Sequence, residues 1–510
     1  MTLEELVGQK LVLGIDAASA TAETVELFRS THAGSLILFR RNFESADQLR
    51  LLLSDLERSL GRKLLVMVDH EGGRVIHFSE GVTVFPDAQA LGISGRIGWA
   101  RRQGEREAEE LRSLGIDVNL APVLDVLGKE RCPAIGTRSY GENPELVAEM
   151  GRARITGMQS KGLSACAKHF PGLGSATLDP HGELPVIQKN WKAMKELDLI
   201  PFQKAFGAGV ETVMSSHPIY PELDSRSRPA TFSRRIIHDG LRLELGFAGV
   251  ALTDDLKMGA ISKSVSLREA VPLAAKAGHD LLLICSDPKA QREAFDSLLW
   301  AYKKKELSNS ELEESTERIG KLKAKRPERF VKSAVSNGSE GKDLARLIAR
   351  SAARVLQDGR GLLPLSPGRW MNRSLTVLFP DLSPVARERF IEPELLEPQT
   401  FLTQSFSQFG MKWGRIEKVS IDSDPKERSA VLATLGPEDG VLFFCWDAHL
   451  FKGTRELLRR LEGKAASLIV VLLREPRDAE GLNARTACVT AYGFRTCQIE
   501  AAIEKMFSQH

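Results

Sequence analysis

Long apolar runs are missing from this sequence. Nowhere do about 18 apolar residues follow one another, the length a helix needs to cross a bilayer, so no membrane partner is expected. The opening residues MTLEELVGQKLVLGIDAAS carry acids and only a short apolar stretch, without the basic flank and small-residue cleavage site of a secretory signal, which points to the cytoplasm. Cysteine is scarce. Cys132, Cys166, Cys285, Cys445, Cys488 and Cys497 are scattered without CxxC or Cys/His spacing, the pattern of buried free thiols in a reducing compartment. Charge of one sign is not in excess: 70 Lys+Arg against 67 Asp+Glu leave +3, no basis for nucleic-acid binding. Also absent are HExxH and the HxH strand pair, which removes the usual ground for reading His70, Glu71, His169, His181 and His217 as metal ligands; no metal or cofactor is expected.

What is present is a long alternation. The 510 residues have room for two domains, a barrel claiming about 250 of them. Eight short apolar runs, separated by amphipathic stretches, predict a parallel sheet: Leu11–Asp16, Gly34–Phe39, Leu64–Asp69, Asp117–Pro122, Ser164–Phe170, Glu211–His217, Gly249–Asp255 and Asp280–Cys285. Several end in polar residues, as strands do where a (β/α)₈ TIM barrel builds its site from the loops at their carboxyl ends. An open doubly wound sheet would call for GxGxxG after the first strand, and LVLGIDAASA lacks it. Residues 1–325 are therefore read as a barrel and 326–343, with Pro327, Gly338 and Gly341 among charges, as a linker. Beyond it, 344–510 carry a helical stretch at 344–356 and strand-like LTVLFP, GVLFFCWD and SLIVVLL, a smaller α/β sandwich domain. No gathering of polar residues at its strand ends is evident, so this domain is read as scaffold or dimer surface, in a monomer or homodimer.

Four segments carry chemistry. AKHFPGLGSATLDPHGELP (167–185) leaves the fifth run: Lys168 and His169 stand at the strand mouth, where an ammonium and an imidazole bond sugar hydroxyls. Further on, Asp179 lies two residues from His181, close enough to fix the imidazole tautomer and raise its proton affinity, a competent general acid/base. Alone, Asp-x-His is ordinary turn chemistry; its place after a barrel strand makes it a candidate. In LTDDLKM (252–258), strand alternation turns one of Asp254 and Asp255 inward; an inward carboxylate can attack an anomeric carbon, while Asp255 suits a helix cap. DHEGGR (69–74) supplies Asp69 as an acceptor for sugar hydroxyls, and GTRSYG (136–141) supplies Arg138, a forked donor.

These segments, in this order, resemble glycoside hydrolase family 3, its bacterial β-N-acetylhexosaminidase branch, over nearly the whole chain. The family patterns are D-x-E-G-G-R, G-x-R-S-[FY]-G, K-H-F-P-G-H-G followed by D-S-H, and [ST]-D-[DA]-L-x-M. The resemblance implies a retaining exo-β-N-acetylglucosaminidase acting on muropeptide or chito-oligosaccharide substrates. It assigns Asp254 as nucleophile, His181 as acid/base and Asp179 as its partner, with Asp69, Arg138, Lys168 and His169 holding a small carbohydrate. Leu173, Ser175-Ala176 and Pro180 depart from the family pattern, and His77 stands where the branch often has a sugar-binding arginine. The altered loop leaves open an inactive sugar-binding protein; a histidine acid/base, less repellent to an incoming phosphate than a second anion, leaves open a phosphorolytic enzyme.

Overall fold

The computed structural model of the chain describes residues 1–129, 132–180, 182–325, 339–366, 368, 375–387, 389–411 and 414–508. They divide into two compact units, Met1–Glu71, Ile76–Thr83 and Gly95–Gly341 in one, and Gly72–Val75, Val84–Ser94 and Lys342–His510 in the other. No helix among the described residues is long and apolar enough to cross a membrane.

All eight apolar runs of the first unit become strands: β1 (Leu11–Gly14), β2 (Ser35–Leu38), β3 (Leu65–Val68), β4 (Val118–Asn119), β5 (Ser164–Phe170), β6 (Thr212–Ser215), β7 (Val250–Leu252) and β8 (Leu282–Ile284). They pair in parallel in the order β7-β6-β5-β4-β3-β2-β1-β8, and a parallel bridge from Leu252 to Leu281 joins the two ends into a barrel. Helices between them are cut by local chemistry. Ala46–Leu60, for example, starts at Ser45, whose side chain accepts from the Gln48 amide, and buries one stripe, Leu49, Leu52, Leu53 and Leu56.

Successive strand residues point to opposite faces, and the packing separates them accordingly. Leu11, Leu13, Leu36, Leu38, Val66, Val68, Ala165, Ala167, Ala251, Leu282 and Ile284 pack outward in one apolar cluster with the helices. Val12, Ile37, Leu65, Met67, Val118, Cys166, Met214, Val250, Leu252 and Leu283 form a second, interior cluster, which takes in Ile319 and Leu322 of helix Asn309–Ala324. This parity positions the site. Asp69 continues the column Leu65, Met67; Lys168 continues from Cys166; Asp254 continues Val250, Leu252; Asp255 falls in step with the outward Ala251.

The second unit is built on a mixed sheet, β9 (Arg354–Gln357), β10 (Leu375–Asp381), β11 (Arg415–Ser420), β12 (Gly440–Cys445), β13 (Ser467–Leu472) and β14 (Ala487–Thr490), in the order β11-β10-β12-β13-β14-β9. All its pairs are parallel except β14 with β9. Alternation again gives two faces: Val377, Phe379, Leu442, Phe444, Ile469 and Val471 on one, Leu378, Val441, Phe443, Val470 and Leu472 on the other, each covered by helices, which makes the α/β sandwich. Its turn Gly72–Val75 is fixed by Arg495, wholly buried, which donates Nε to the Gly73 carbonyl at 2.7 Å.

Three expectations need amending here. Of 326–343, read as linker, residues 326–338 lie outside those described and 339–343 open the helix Ser339–Ala352. That helix stops at Ala352, so the end of the stretch 344–356 is edge strand rather than helix. And polar residues do gather at the carboxyl ends of this sheet: Asp381 closes β10, Asp447 and His449 follow β12, and Arg474 and Asp478 follow β13.

Candidate active site

At the carboxyl ends of β3 and β5 the structure assembles a charged network. Lys168 is 2% exposed, and its Nζ pairs with Asp69 Oδ1 and, at 2.6 Å, with Glu71 Oε1. Glu71 in turn receives the fork of Arg138, Nε at 2.7 Å and Nη2 at 2.7 Å, while Arg138 Nη1 donates to the Ala134 carbonyl at 2.8 Å. Arg138 Nη2 also lies 3.5 Å from His169 Nε2. The other ring nitrogen, Nδ1, is 2.7 Å from Asp125 Oδ2, which orients the imidazole. Asp125 is wholly buried after β4 and accepts the Leu173 amide at 2.6 Å as well.

Lys168 thus meets Asp69 directly, while two carboxylates not among the residues predicted from sequence hold the rest: Glu71 ties Arg138 to Lys168, and Asp125 orients His169. Glu71 stands inside the motif DHEGGR, two residues beyond Asp69 and in step with the same interior column, and its side chain takes the Arg138 fork that the sequence alone would offer to a substrate. Asp125 carried a signal of its own: an acid set in the apolar stretch Pro122–Leu127 must find hydrogen bonds when it folds in. The electrostatics follow the geometry. Burial would raise the Glu71 carboxyl, yet Arg138 and Lys168 beside it hold it well below its ordinary value. Burial would likewise lower Lys168, and Asp69 and Glu71 hold it above its ordinary value instead. Both stay ionised across the physiological range.

Asp254 follows β7 with Oδ1 accepting the Asp255 amide at 2.8 Å. Asp255 does not cap a helix; its Oδ1 takes the amides of Lys257 at 3.1 Å and Cys285 at 3.3 Å, tying the end of β7 to that of β8, and burial raises its pKa. The Asp255 carbonyl is 3.1 Å from Nε2 of the buried His217, whose Nδ1 is 2.7 Å from Thr231 Oγ1. His217 is therefore bound to the turn beside Asp254.

The loop leaving β5 is packed tightly at its start. A side chain at Gly174 would put Cβ 1.8 Å from the Val126 carbonyl, so only glycine fits there, and Leu173, in the place of the family's histidine, is buried in the outer core. Further along, Asp179 is exposed and its carbonyl accepts the amides of Gly182 and Glu183 at 3.1 and 3.0 Å. His181 lies outside the described residues. The loop docks on the segment just after Asp254: the Ala260 amide donates to the Pro180 carbonyl at 3.2 Å, and Lys263 Nζ to the Gly182 carbonyl at 2.5 Å. Pro180, which departs from the family pattern, is buried at this contact and takes part in it through its main-chain carbonyl. His77 is half-buried, edge-on to Phe39 at the end of the next interior column, ring centroids 5.4 Å apart. Burial pushes its pKa down to about 4, which leaves a neutral imidazole with one donor and one acceptor.

Comparisons with known proteins identify the family. Residues 2–322 match the glycosyl hydrolase family 3 N terminal domain. A β-hexosaminidase of Nitrosomonas eutropha is 38% identical over 298 residues, 57% of this chain and 85% of that protein, and one of Neisseria meningitidis serogroup B is 36% identical over 298 residues, 56% of this chain and 81% of that protein. Among solved structures, a glycoside hydrolase family 3 β-N-acetylglucosaminidase from Paenibacillus sp. str. FPU-7 is similar over 99% of this chain and 97% of its own, with TM-score 0.91 and 29% identity. Native NagZ from Neisseria gonorrhoeae covers 67% of this chain and 97% of its own, with TM-score 0.58 and 31% identity. The chain belongs to glycosyl hydrolase family 3 and is a glycoside hydrolase.

Proposed function

We propose that this glycoside hydrolase removes terminal β-linked N-acetylglucosamine, from chito-oligosaccharide or muropeptide substrates in the cytoplasm, with retention of configuration. The observation that carries the reading is the convergence of Asp69, Lys168 and Asp254 on the interior columns of three strands, with the loop of Asp179 docked beside Asp254. Relatives named β-hexosaminidase and β-N-acetylglucosaminidase support the choice of sugar, and six unpaired cysteines suit a reducing compartment.

In this reading Asp69 and Lys168, with His169, Arg138 and the neutral His77, hold the sugar hydroxyls and the N-acetyl group. The Asp254 carboxylate attacks the anomeric carbon as the glycosidic C–O bond breaks, and His181, oriented by Asp179, protonates the departing oxygen. The product is a glycosyl ester on Asp254. Water, giving its proton to His181, then attacks the same carbon and releases the Asp254 carboxylate, so one water is consumed and both residues are restored.

The test is release of the aglycone from an activated aryl β-N-acetylglucosaminide by wild type and Asp254→Ala, with and without phosphate. Turnover lost in the variant and indifferent to phosphate supports the proposal. A phosphate requirement with a sugar-phosphate product replaces hydrolysis by phosphorolysis, and no turnover by wild type overturns it in favour of a binding protein.

A further inference from the structure

Behind the network just described lies a buried charged residue that touches no part of the open mouth. Arg154, on helix Pro144–Ser160, is 1% exposed and forks onto Glu107 of helix Ile97–Ser113, Nε to Oε2 at 2.9 Å and Nη2 to Oε1 at 2.7 Å. Gln103 secures the same carboxylate, donating Nε2 to Oε1 at 2.8 Å. The two helices come close enough for this only because glycines face each backbone: a Cβ on Gly104 would lie 2.3 Å from the Arg154 carbonyl, and one on Gly157 would lie 2.2 Å from the Arg101 carbonyl.

Such a pair is a costly way to join two helices, since two ions taken out of water recover little more than their desolvation. What distinguishes this one is where the second Nη2 hydrogen goes. Arg154 Nη2 donates at 2.7 Å to the main-chain carbonyl of Glu71, the residue whose side chain holds both Lys168 and Arg138. Its charge also reaches the buried Tyr140 hydroxyl, two residues beyond Arg138 on the second site loop. Arg154 therefore stands against both loops that meet in the Glu71–Arg138 pair.

We propose that Arg154 is a positioning residue for the sugar-holding cluster: through the Glu71 main chain and the loop of Tyr140 it sets the register of Glu71, and so of Lys168 and Asp69, against the bound sugar. This rests on the sugar-site reading above. Nothing reacts at Arg154; its effect passes through placement, where displacing a binding group by about 1 Å costs on the order of 10²-fold.

The experiment measures KM, kcat and thermal midpoint on an aryl β-N-acetylglucosaminide for the full chain and for Arg154→Met, Arg154→Lys, Glu107→Gln, Asp69→Asn and the Arg154→Met/Asp69→Asn pair. Arg154→Met is expected to lower kcat/KM by about 10²-fold, mostly through KM, with Arg154→Lys recovering part of the loss because charge remains while the fork is gone. The paired variant is expected to lose less than the product of the single losses, because both act on one cluster. A folded Arg154→Met with a lowered thermal midpoint and an unchanged KM, or strictly multiplicative losses, overturns the proposal and leaves a helix-joining role only. Should Arg154→Met fail to fold, a raised KM in Arg154→Lys and Glu107→Gln supports the proposal and an unchanged KM in both overturns it. If Asp69→Asn itself leaves KM unchanged while wild type turns over, the sugar-site reading fails and takes the proposal with it, an outcome distinct from failure at Arg154 alone.

Discussion

In the barrel, the charged residues at the strands' carboxyl ends stand on interior columns and bind one another across neighbouring strands; in the second unit they sit at equivalent strand ends but are spent on local turns. Arg474 lies over the Trp446 ring at 5.1 Å and pairs with Asp447. Asp478 accepts the amides of Ala448 and His449 at 2.7 and 2.9 Å and meets His449 Nδ1 at 2.8 Å. Asp381 takes the Ser383 hydroxyl at 2.7 Å, and Asp422 the Gly453 amide at 2.5 Å. Within the charged clusters the Asp69 side chain keeps 23% of its surface open, whereas Asp447, packed under Arg474, keeps none. Buried charge by itself does not mark a site. A network that holds its members in place and leaves one carboxylate facing outward does.

The largest expected break in this comparison comes from Asp254→Ala, which should lower kcat by on the order of 10⁴-fold or more on an aryl β-N-acetylglucosaminide, while Asp447→Asn should leave kcat/KM within about twofold. Similar losses in both would erase the distinction. Next comes Glu71→Gln. It leaves Lys168 and Arg138 buried beside a neutral amide, so urea titration should show a loss of about 3–5 kcal/mol together with a raised KM, whereas Asp478→Ala should cost about 1–3 kcal/mol, for the lost hydrogen bonds, and leave KM alone. Asp69→Asn, with its partly open side chain, should raise KM by about tenfold and change the urea midpoint little.

The smallest effect is on pH dependence. His279, 1% exposed, places Nδ1 3.0 Å from the Ala274 carbonyl and Nε2 2.8 Å from Ser215 Oγ, and burial pushes its pKa down from 6.5 to about 4. The folded form then binds fewer protons than the unfolded one between those values. The stability is complete above pH 6.5 and declines as pH falls toward 4. The urea midpoint should therefore drop between pH 7 and pH 5, and His279→Gln should flatten that drop; an equal slope in the variant would remove His279 from the account.

How much of this could be read beforehand depends on how burial writes itself into sequence. The eight barrel strands are buried on both faces, so each is an uninterrupted apolar run, and the residue ending the run is the one at the mouth. Asp69, Lys168 and Asp254 were legible for that reason. β11 was not: as the edge strand Arg415–Ser420 it is mostly half-exposed, and RIEKVS carries no apolar run to count. β9 was absorbed into the preceding helical pattern for a similar reason, its four residues being exposed or half-buried. In the second unit Asp447 ends the run GVLFFCWD, but its neighbours on the rim, Asp422 and Asp478, stand in turns outside any apolar run, so the gathering appears only in the fold. Glu71, Asp125 and Arg154 show the same limit inside the barrel, since their roles are defined by partners 44 or more residues away.

The account turns on the covalent step at Asp254, and the most direct test is to trap it. The full chain would be incubated with an activated fluorosugar of the N-acetylglucosamine series, one that forms its glycosyl ester quickly and loses it slowly, then digested and its peptides weighed. The account predicts one added glycosyl unit on the peptide containing Asp254, and none in Asp254→Asn. A glycosyl unit on any other residue, or inactivation-free turnover with the product released first as the opposite anomer, would contradict it.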